Sequence, residues 1–351
     1  MTSASSKVFV AISGGVDSAC STALLLRAGY NCQAMFMITN DQAQAAGADA
    51  QKVAEHLGVK LHILDFRKTF SDVRDYFCDE YMKGRTPNPC VFCNRNIKFG
   101  KLWQFAKNHG ADYMATGHYA RIIKTETGTG LYAASYIRKD QSYALAMIDK
   151  SVIDHLLLPL GGFQKADVRA LAGQLGLHVQ QKADSQEICF IPDQNYIGLL
   201  ERRCPQLARA GNIIDSTGSI LGTHNGTHRF TIGQRRGLGI AKGQPVYVTA
   251  IDAQSNTVTL GPKNELMHKG LIATGANWLI ESPSGHFKAN IKIRYNHAGQ
   301  SGTVAVQGNN VLVEFDEPIA AITPGQAAVF YIQENDLSRL VGGAWIEKAM
   351  N

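Results

Sequence analysis

The sequence predicts an α/β protein: a doubly wound parallel-sheet domain followed by two small β-rich domains, the last barrel-like. Three observations carry this. Strand and helix patterns alternate through the first half, a glycine turn joins the first strand to the first helix, and from about residue 205 short strands alternate with glycine-rich turns. Repeated βα units imply a parallel sheet covered by helices on both faces. Closely spaced short strands imply small sandwiches or barrels.

VFVAI (8–12) reads as a buried strand and DSACSTALLLRAGY as the helix after it. CQAMFMI is the second strand, GADAQKVAEHLG a helix, and VKLHILDF the third strand. SDVRDYFCDEYMKG is helical. The two prolines of TPNPC argue against helix there. IKFGKLWQFAKNHG is helical again and ADYMATGHYA a further strand. ARIIKTETGTGLYAAS predicts a hairpin with a Gly-Thr-Gly turn, and KADVRALAGQLG a short helix ending at a glycine. The β-rich part comprises GNIIDSTGSILGTHNG, PVYVTAIDAQSNTVTLG, ANIKIRYNHA, SGTVAVQGNNVLVEFDEP and AAVFYIQE.

The chain has 351 residues, 45% hydrophobic and 18% charged, the balance of a globular protein. No apolar run reaches the ~20 residues of a membrane span. The opening MTSASSKVFVAISGG lacks a secretory-signal layout, so a cytoplasmic location is expected. A net charge of +6 permits a polyanionic partner without demanding one. Seven cysteines, two of them in C-x-x-C spacing, point to metal, redox or sulfur chemistry rather than a disulfide scaffold.

The turn Ser13-Gly14-Gly15 presents backbone N–H groups and a helix N-terminus to an anion. It is not the G-x-G-x-x-G of dinucleotide folds, nor a Walker A loop, since no lysine follows Gly15. Negative charge must then be met by N–H groups, by the hydroxyls of Ser13 and Ser18, and by Mg²⁺ that Asp17 could bridge. A bare glycine pair is more often only a structural turn capped by Ser or Asp. The whole hexapeptide SGGVDS resembles the pyrophosphate-binding loop of the ATP pyrophosphatase superfamily, which implies a nucleotide-binding domain and an adenylating reaction.

Cys93 follows Thr86-Pro87-Asn88-Pro89-Cys90-Val91-Phe92 and is expected at the start of the next helix. There the helix dipole would favour the thiolate, below the free value of about 8.5. Cys189 lies in Asp184-Ser185-Gln186-Glu187-Ile188-Cys189-Phe190-Ile191. Two such cysteines meeting in a cleft could pass sulfur by thiol–disulfide exchange. Cys20, Cys32, Cys78 and Cys204 read as small buried hydrophobes. Zinc lacks a second C-x-x-C or a closely spaced His pair.

AISGGVDS, GRTPNPCVFCN with NIKF, ATGHYAR, KDQSYAL, DSQEICFI, TIGQRRGLGI, KIRY and TPGQAAVFY together resemble the tRNA-specific 2-thiouridylase family over nearly the whole chain. The resemblance implies a tRNA-uridine 2-sulfurtransferase that adenylates the carbon 2 oxygen of the wobble uridine and replaces it with sulfur. It implies ATP and Mg²⁺ as cofactors, with ATP on Ala11, Ile12, Ser13, Gly14, Gly15, Val16, Asp17 and Ser18, flanked by Met37 and Gly117. Cys189 would carry the persulfide and Cys93 act as nucleophile, leaving a Cys93–Cys189 disulfide. Asn88, Pro89 and Cys90 would line the target base. His118, Lys139, Asp140, Gln141, Arg294, Tyr295 and Gln326 would contact tRNA, and Arg235 and Arg236 suit phosphate.

Implied partners are tRNAs of the Lys, Glu and Gln type and a sulfur-donor or relay protein downstream of a cysteine desulfurase, with the chain a monomer. Two departures stand out. Many members carry Asp where this chain has Cys90, which leaves an iron–sulfur cluster on Cys90, Cys93 and Cys189 as the alternative. The segment ITNDQAQAAGADAQ after Met37 is short and lacks the usual Trp and acidic run. A non-thiolating adenylating synthetase is the other alternative. Expected domains are a catalytic unit at 1–204, with part of 150–185 left open to packing with the next, a central unit at 205–269 and a barrel at 270–351.

Overall fold

The computed structural model describes residues 6–351 apart from Gln42, Thr127, 183–187, 192–194 and 241–242. The first part is built from β1 (Lys7–Ala11), α1 (Val16–Arg27), β2 (Asn31–Ile38), α2 (Ala43–Leu57), β3 (Lys60–Asp65) and α3 (Ser71–Met82). Next come α4 (Pro89–Cys93), a π-helix (Asn94–Leu102), α5 (Trp103–Asn108), β4 (Tyr113–Ala115), the hairpin β5 (Ala120–Thr125) and β6 (Gly128–Ala133), β7 (Leu156–Leu157) and α6 (Lys165–Gln174). Five parallel strands stand in the order β3-β2-β1-β4-β7. Val8, Phe9 and Val10 are fully buried, as the uninterrupted apolar run of a strand covered on both faces requires. The chain leaves β1 for β2 on one side and later returns to place β4 on the other. The crevice at the carboxyl ends of β1 and β4 is therefore the topological switch point, where open α/β sheets bind ligands.

Helix does form where the prolines seemed to forbid it. Pro89 is the first helical residue of α4, a position whose N–H has no helical partner in any case. Asn88 caps it, its side chain accepting the Val91 N–H at 3.3 Å. Helix then runs without a break from α4 through the π-helix into α5. The hairpin also differs in detail. Thr125 pairs with Gly128, so Gly-Thr-Gly belongs to β6 and the reversal falls just before it, with Gly128 at φ +114°.

After α7 (Tyr196–Arg203), strands β8 (Gly211–Asp215), β9 (Ile220–His224), β10 (Tyr247–Asp252) and β11 (Thr257–Gly261) form a small sheet ordered β10-β11-β8-β9. The last six strands are β12 (Met267–Trp278), β13 (His286–Lys292), β14 (Gln300–Gln307), β15 (Asn310–Ala320), β16 (Ala327–Glu334) and β17 (Leu337–Met350). They pair in the order β12-β15-β14-β13-β16-β17, and β17 closes on β12 to make a six-stranded barrel. Closure removes sheet edges. Its interior is a separate apolar core around Leu271, Ile291, Val313, Phe330 and Ile346.

The barrel is fastened to the first part. β17 also pairs with β6, and Asn277 donates to the carbonyls of Ala146 and Ile148 at 3.0 and 2.8 Å. Arg85 bonds Glu347 at 2.7 Å, and the Thr86 N–H reaches the Pro324 carbonyl at 2.9 Å. These ties fix the segment that precedes α4. Among the described residues no helix is long and apolar enough to cross a membrane.

Candidate active site

The glycine turn lies between β1 and α1. Gly14 takes φ +70°, and a Cβ on it would stand 2.4 Å from the Ala46 carbonyl oxygen, so both conformation and space demand glycine. Ser18 Oγ accepts the Ser13 N–H at 3.1 Å and donates to the Gly15 carbonyl at 3.2 Å, holding the turn open. Gly15 caps α1 without a side-chain bond, which leaves the helix N–H groups for an incoming anion. Gly117, just past β4, packs on the first turn of α1. A Cβ there would lie 2.9 Å from the Ser18 nitrogen. Met37, near the end of β2, packs against the cores on both sides of the crevice.

The cation missing from the local sequence arrives from far along the chain. Lys165, at the start of α6, bonds both Asp17 carboxylate oxygens at 2.7 and 2.8 Å, and the Tyr119 hydroxyl donates to the same carboxylate at 2.7 Å. Lys182 bonds the Gly14 carbonyl at 2.9 Å and Asp49 at 2.6 Å. Neither lysine is legible from the turn, because both stand about 150 residues or more from it in sequence. Asp17 is thus a paired carboxylate. It fits Mg²⁺ only in the way that ion is usually held, by one carboxylate with the remaining ligands from nucleotide phosphates and water.

The second half of the site surrounds α4. The Asn88 amide reaches the Tyr143 hydroxyl and Gln326 Oε1, both at 3.4 Å. Gln326 Nε2 donates to the Thr86 and Pro87 carbonyls at 3.0 and 2.9 Å. Tyr295, 45% exposed, stands edge-on to Tyr143 with ring centroids 6.2 Å apart. Cys90 and Cys189 open to solvent, while Cys93 is buried in the core that includes Phe190 and Ile191. Cys90, Cys93 and Cys189 lie close enough to influence one another's ionisation, and Lys98 acts on all three and on His118. Gly117 touches the nucleotide turn, and the next residue, His118, stands 5.9 Å from the Phe99 ring of the π-helix that follows Cys93.

Burial, not the helix dipole, governs the thiols. Cys93 is one turn inside the helix rather than at its start, and desolvation pushes it up to about 12, with Lys98 opposing and the neighbouring thiols adding to the rise. The expected lowering is overturned. Cys90 and Cys189 are raised as well, again by burial among surrounding protein atoms. Alkylation of Cys93 by iodoacetamide in the free protein is therefore expected to climb roughly tenfold per pH unit through pH 10 without levelling. An ordinary thiol, half ionised near pH 8.5, has levelled by then. Peptide mass spectrometry across a pH series checks this.

Several residues expected to contact tRNA are engaged within the protein. Asp140 is 6% exposed; it accepts the Ala134 and Ser142 N–H groups at 3.0 and 3.1 Å and the Ser142 hydroxyl at 2.9 Å, and meets Lys292 at 3.2 Å. A carboxylate so buried and so fully bonded braces the interior. Gln141 exchanges bonds with the Tyr119 backbone, and Gln326 clasps the segment before α4. His118 shares a 2.7 Å hydrogen bond with the Thr116 hydroxyl, and burial holds it well below its ordinary range, so it is neutral. Lys139 is half-buried, whereas Arg294, Tyr295, Arg235 and Arg236 are exposed.

The three cysteines do not fit an iron–sulfur cluster as they stand. Among the described residues no group of three His, Cys, Asp or Glu side chains is arranged to hold a metal ion. Residues 184–187 of the Cys189 motif lie outside the described residues.

Three family models match in succession: a tRNA methyl transferase HUP domain over 6–193, a tRNA methyl transferase PRC-barrel domain over 198–262, and an aminomethyltransferase beta-barrel domain over 268–346. The tRNA-specific 2-thiouridylase MnmA of Syntrophotalea carbinolica is 46% identical, over 97% of this chain and 98% of its own. Its namesake from Carboxydothermus hydrogenoformans is 44% identical, with 98% of each chain covered. Among solved structures, the U34-tRNA thiolase NcsA from Methanococcus maripaludis is similar at 23% identity and a TM-score of 0.34, covering 57% of this chain and 67% of that one.

Proposed function

The chain belongs to the tRNA-specific 2-thiouridylase family, and from that premise we propose how its residues thiolate a uridine of tRNA. The pyrophosphate of ATP lies on the turn Ala11–Ser18, with adenine and ribose between Met37 and Gly117. Lys165 and Lys182 balance charge there, and Mg²⁺ travels with the nucleotide, held on the protein side by Asp17. The wobble base leaves its stack to enter the recess of Asn88, Pro89, Cys90 and Tyr295, as a base in a single-stranded loop readily does. Arg294, Arg235 and Arg236 serve the tRNA backbone.

Adenylation of the carbon 2 oxygen converts a poor leaving group into AMP. Cys189 receives a persulfide from a relay protein. The Cys93 thiolate attacks the Cys189 sulfur, forming the Cys93–Cys189 disulfide and releasing hydrosulfide. The hydrosulfide adds at carbon 2 and AMP departs. A thiol reductant then restores both cysteines. The domain limits near 204 and 269, and action as a monomer in the cytoplasm, belong to the same proposal.

What supports it most is that Cys189 acts on the ionisation of Cys93 and Cys90 acts on both, although their segments stand a hundred residues apart in the chain. A synthetase of small metabolites needs the turn but not the thiols. The test is anaerobic incubation of unmodified tRNA bearing a wobble uridine with the protein, Mg-ATP and a persulfide-generating system, followed by nucleoside mass spectrometry. The expected product is 2-thiouridine, dependent on ATP. AMP formation without any thiolated nucleoside would sink the reading.

A further inference from the structure

Lys98 belongs to the NIKF motif but has no place in the scheme so far. Its position depends on an unusual piece of backbone. Cys93 caps the start of the π-helix Asn94–Leu102, and the Trp103 N–H bonds the Lys98 carbonyl, a step of five residues. In such a helix residues five apart stand nearly above one another. Gly100 shows the same stacking: a Cβ on it would lie 3.0 Å from the Arg95 carbonyl oxygen, five residues back. In an α-helix, five residues turn through about 140°, and Lys98 would face away from Cys93. The π-helix instead carries Lys98 round to the Cys93 side. π-helical turns are rare and gather at functional sites.

Among the described residues Lys98 has no carboxylate and no hydrogen-bond partner, although it is half-buried. The groups in its electrostatic reach are the three thiols and the neutral His118. A cation kept free of carboxylates beside three thiols is arranged for an anion that forms there.

We propose that Lys98 is a positioning residue of the sulfur-transfer step, its ammonium set by the π-helix to hold the negative charge that passes from the Cys93 sulfur to the released hydrosulfide. This rests on the thiolation reading, but the charge itself is testable without it. In the transfer no net charge is created: the thiolate that attacks becomes half of the disulfide, and the sulfur that leaves takes its electron pair. Lys98 serves both ends because it acts on the Cys93 and Cys189 sulfurs alike.

The test compares alkylation of Cys189 and Cys93 by iodoacetate, an anion, and iodoacetamide, its neutral counterpart, followed by peptide mass spectrometry. Both reagents draw on the same thiolate, so the ratio of their rates cancels its abundance and reports local charge. In the wild-type protein the ratio at Cys189 is expected above that of a cysteine peptide. Lys98→Met should lower it roughly three- to tenfold, and Lys98→Arg should restore most of it. Cys204 serves as an unaffected control.

A wild-type ratio no higher than the peptide's would overturn the proposal without any variant. So would a ratio unmoved in Lys98→Met of normal circular dichroism. Loss of the tRNA product with an elevated charge ratio intact would instead strike at the thiolation reading.

Discussion

Lys165→Met is expected to weaken ATP binding roughly 10- to 100-fold, measured as Kd by calorimetry with Mg-ATP. The change removes one positive charge from a turn that has none of its own. Lys165 is 14% exposed and Asp17 32%, so water screens the pair only in part. Truncating the lysine leaves the Asp17 carboxylate facing the nucleotide's phosphates, offset by the Tyr119 hydroxyl, by the more distant Lys182 and by the ion. A charge-assisted hydrogen bond is worth about 1.5–3 kcal/mol, and each 1.4 kcal/mol is about tenfold in affinity. Lys165→Arg keeps the charge and should recover part of the loss. Asp17→Asn separates the two roles. It relieves the repulsion and frees Lys165, so affinity for ATP without Mg²⁺ should fall little, while the benefit of adding Mg²⁺ should shrink. An unchanged Kd in Lys165→Met would mean the lysine only braces α6 against α1.

The fold was legible wherever local pattern and tertiary role coincide. The apolar run at 8–12 is fully buried at its centre, and the alternation of strands and helices is the parallel sheet. The glycine turn was readable because the two demands on Gly14, left-handed backbone and close approach to Ala46, admit no other residue. Barrel closure was less so: nothing local to β12 or β17 says that they pair, across some seventy residues.

Three features were hidden for distinct physical reasons. Lys165 is one of many lysines until α6 packs on α1, since its partner lies 148 residues away. Asp140 has the composition of a surface contact in KDQS and becomes a brace only when Lys292 of the barrel arrives beside it. The Cys93 thiol was judged by its helix, whereas burial decides its ionisation. Helix-terminus effects amount to about 1 kcal/mol, and full burial can shift a group by several pH units. A dipole of that size cannot hold down a thiol pushed up to about 12.

That protonated thiol makes the cysteine variants the sharpest test of how sulfur moves. Cys93→Ser and Cys189→Ser are each expected to lower 2-thiouridine formation by at least about 10³-fold, as loss of a nucleophile does when no neighbour replaces it. They should fail differently. With a persulfide donor, Cys93→Ser should accumulate one extra sulfur on Cys189, since loading is intact and the attack that releases it is gone. Cys189→Ser should carry no extra sulfur on Cys93, which is buried where Cys189 is exposed. Both should still release pyrophosphate from ATP when tRNA is present, because the glycine turn is untouched and adenylation precedes sulfur transfer. Cys90→Ser discriminates the cluster alternative, which needs all three thiolates. The persulfide route predicts that Cys90→Ser keeps most activity, Cys90 being exposed and needed only as a wall of the base recess. If Cys90→Ser were as dead as the other two, and Cys93→Ser gathered no extra sulfur on Cys189, sulfur would be passing through a shared site and not between two cysteines.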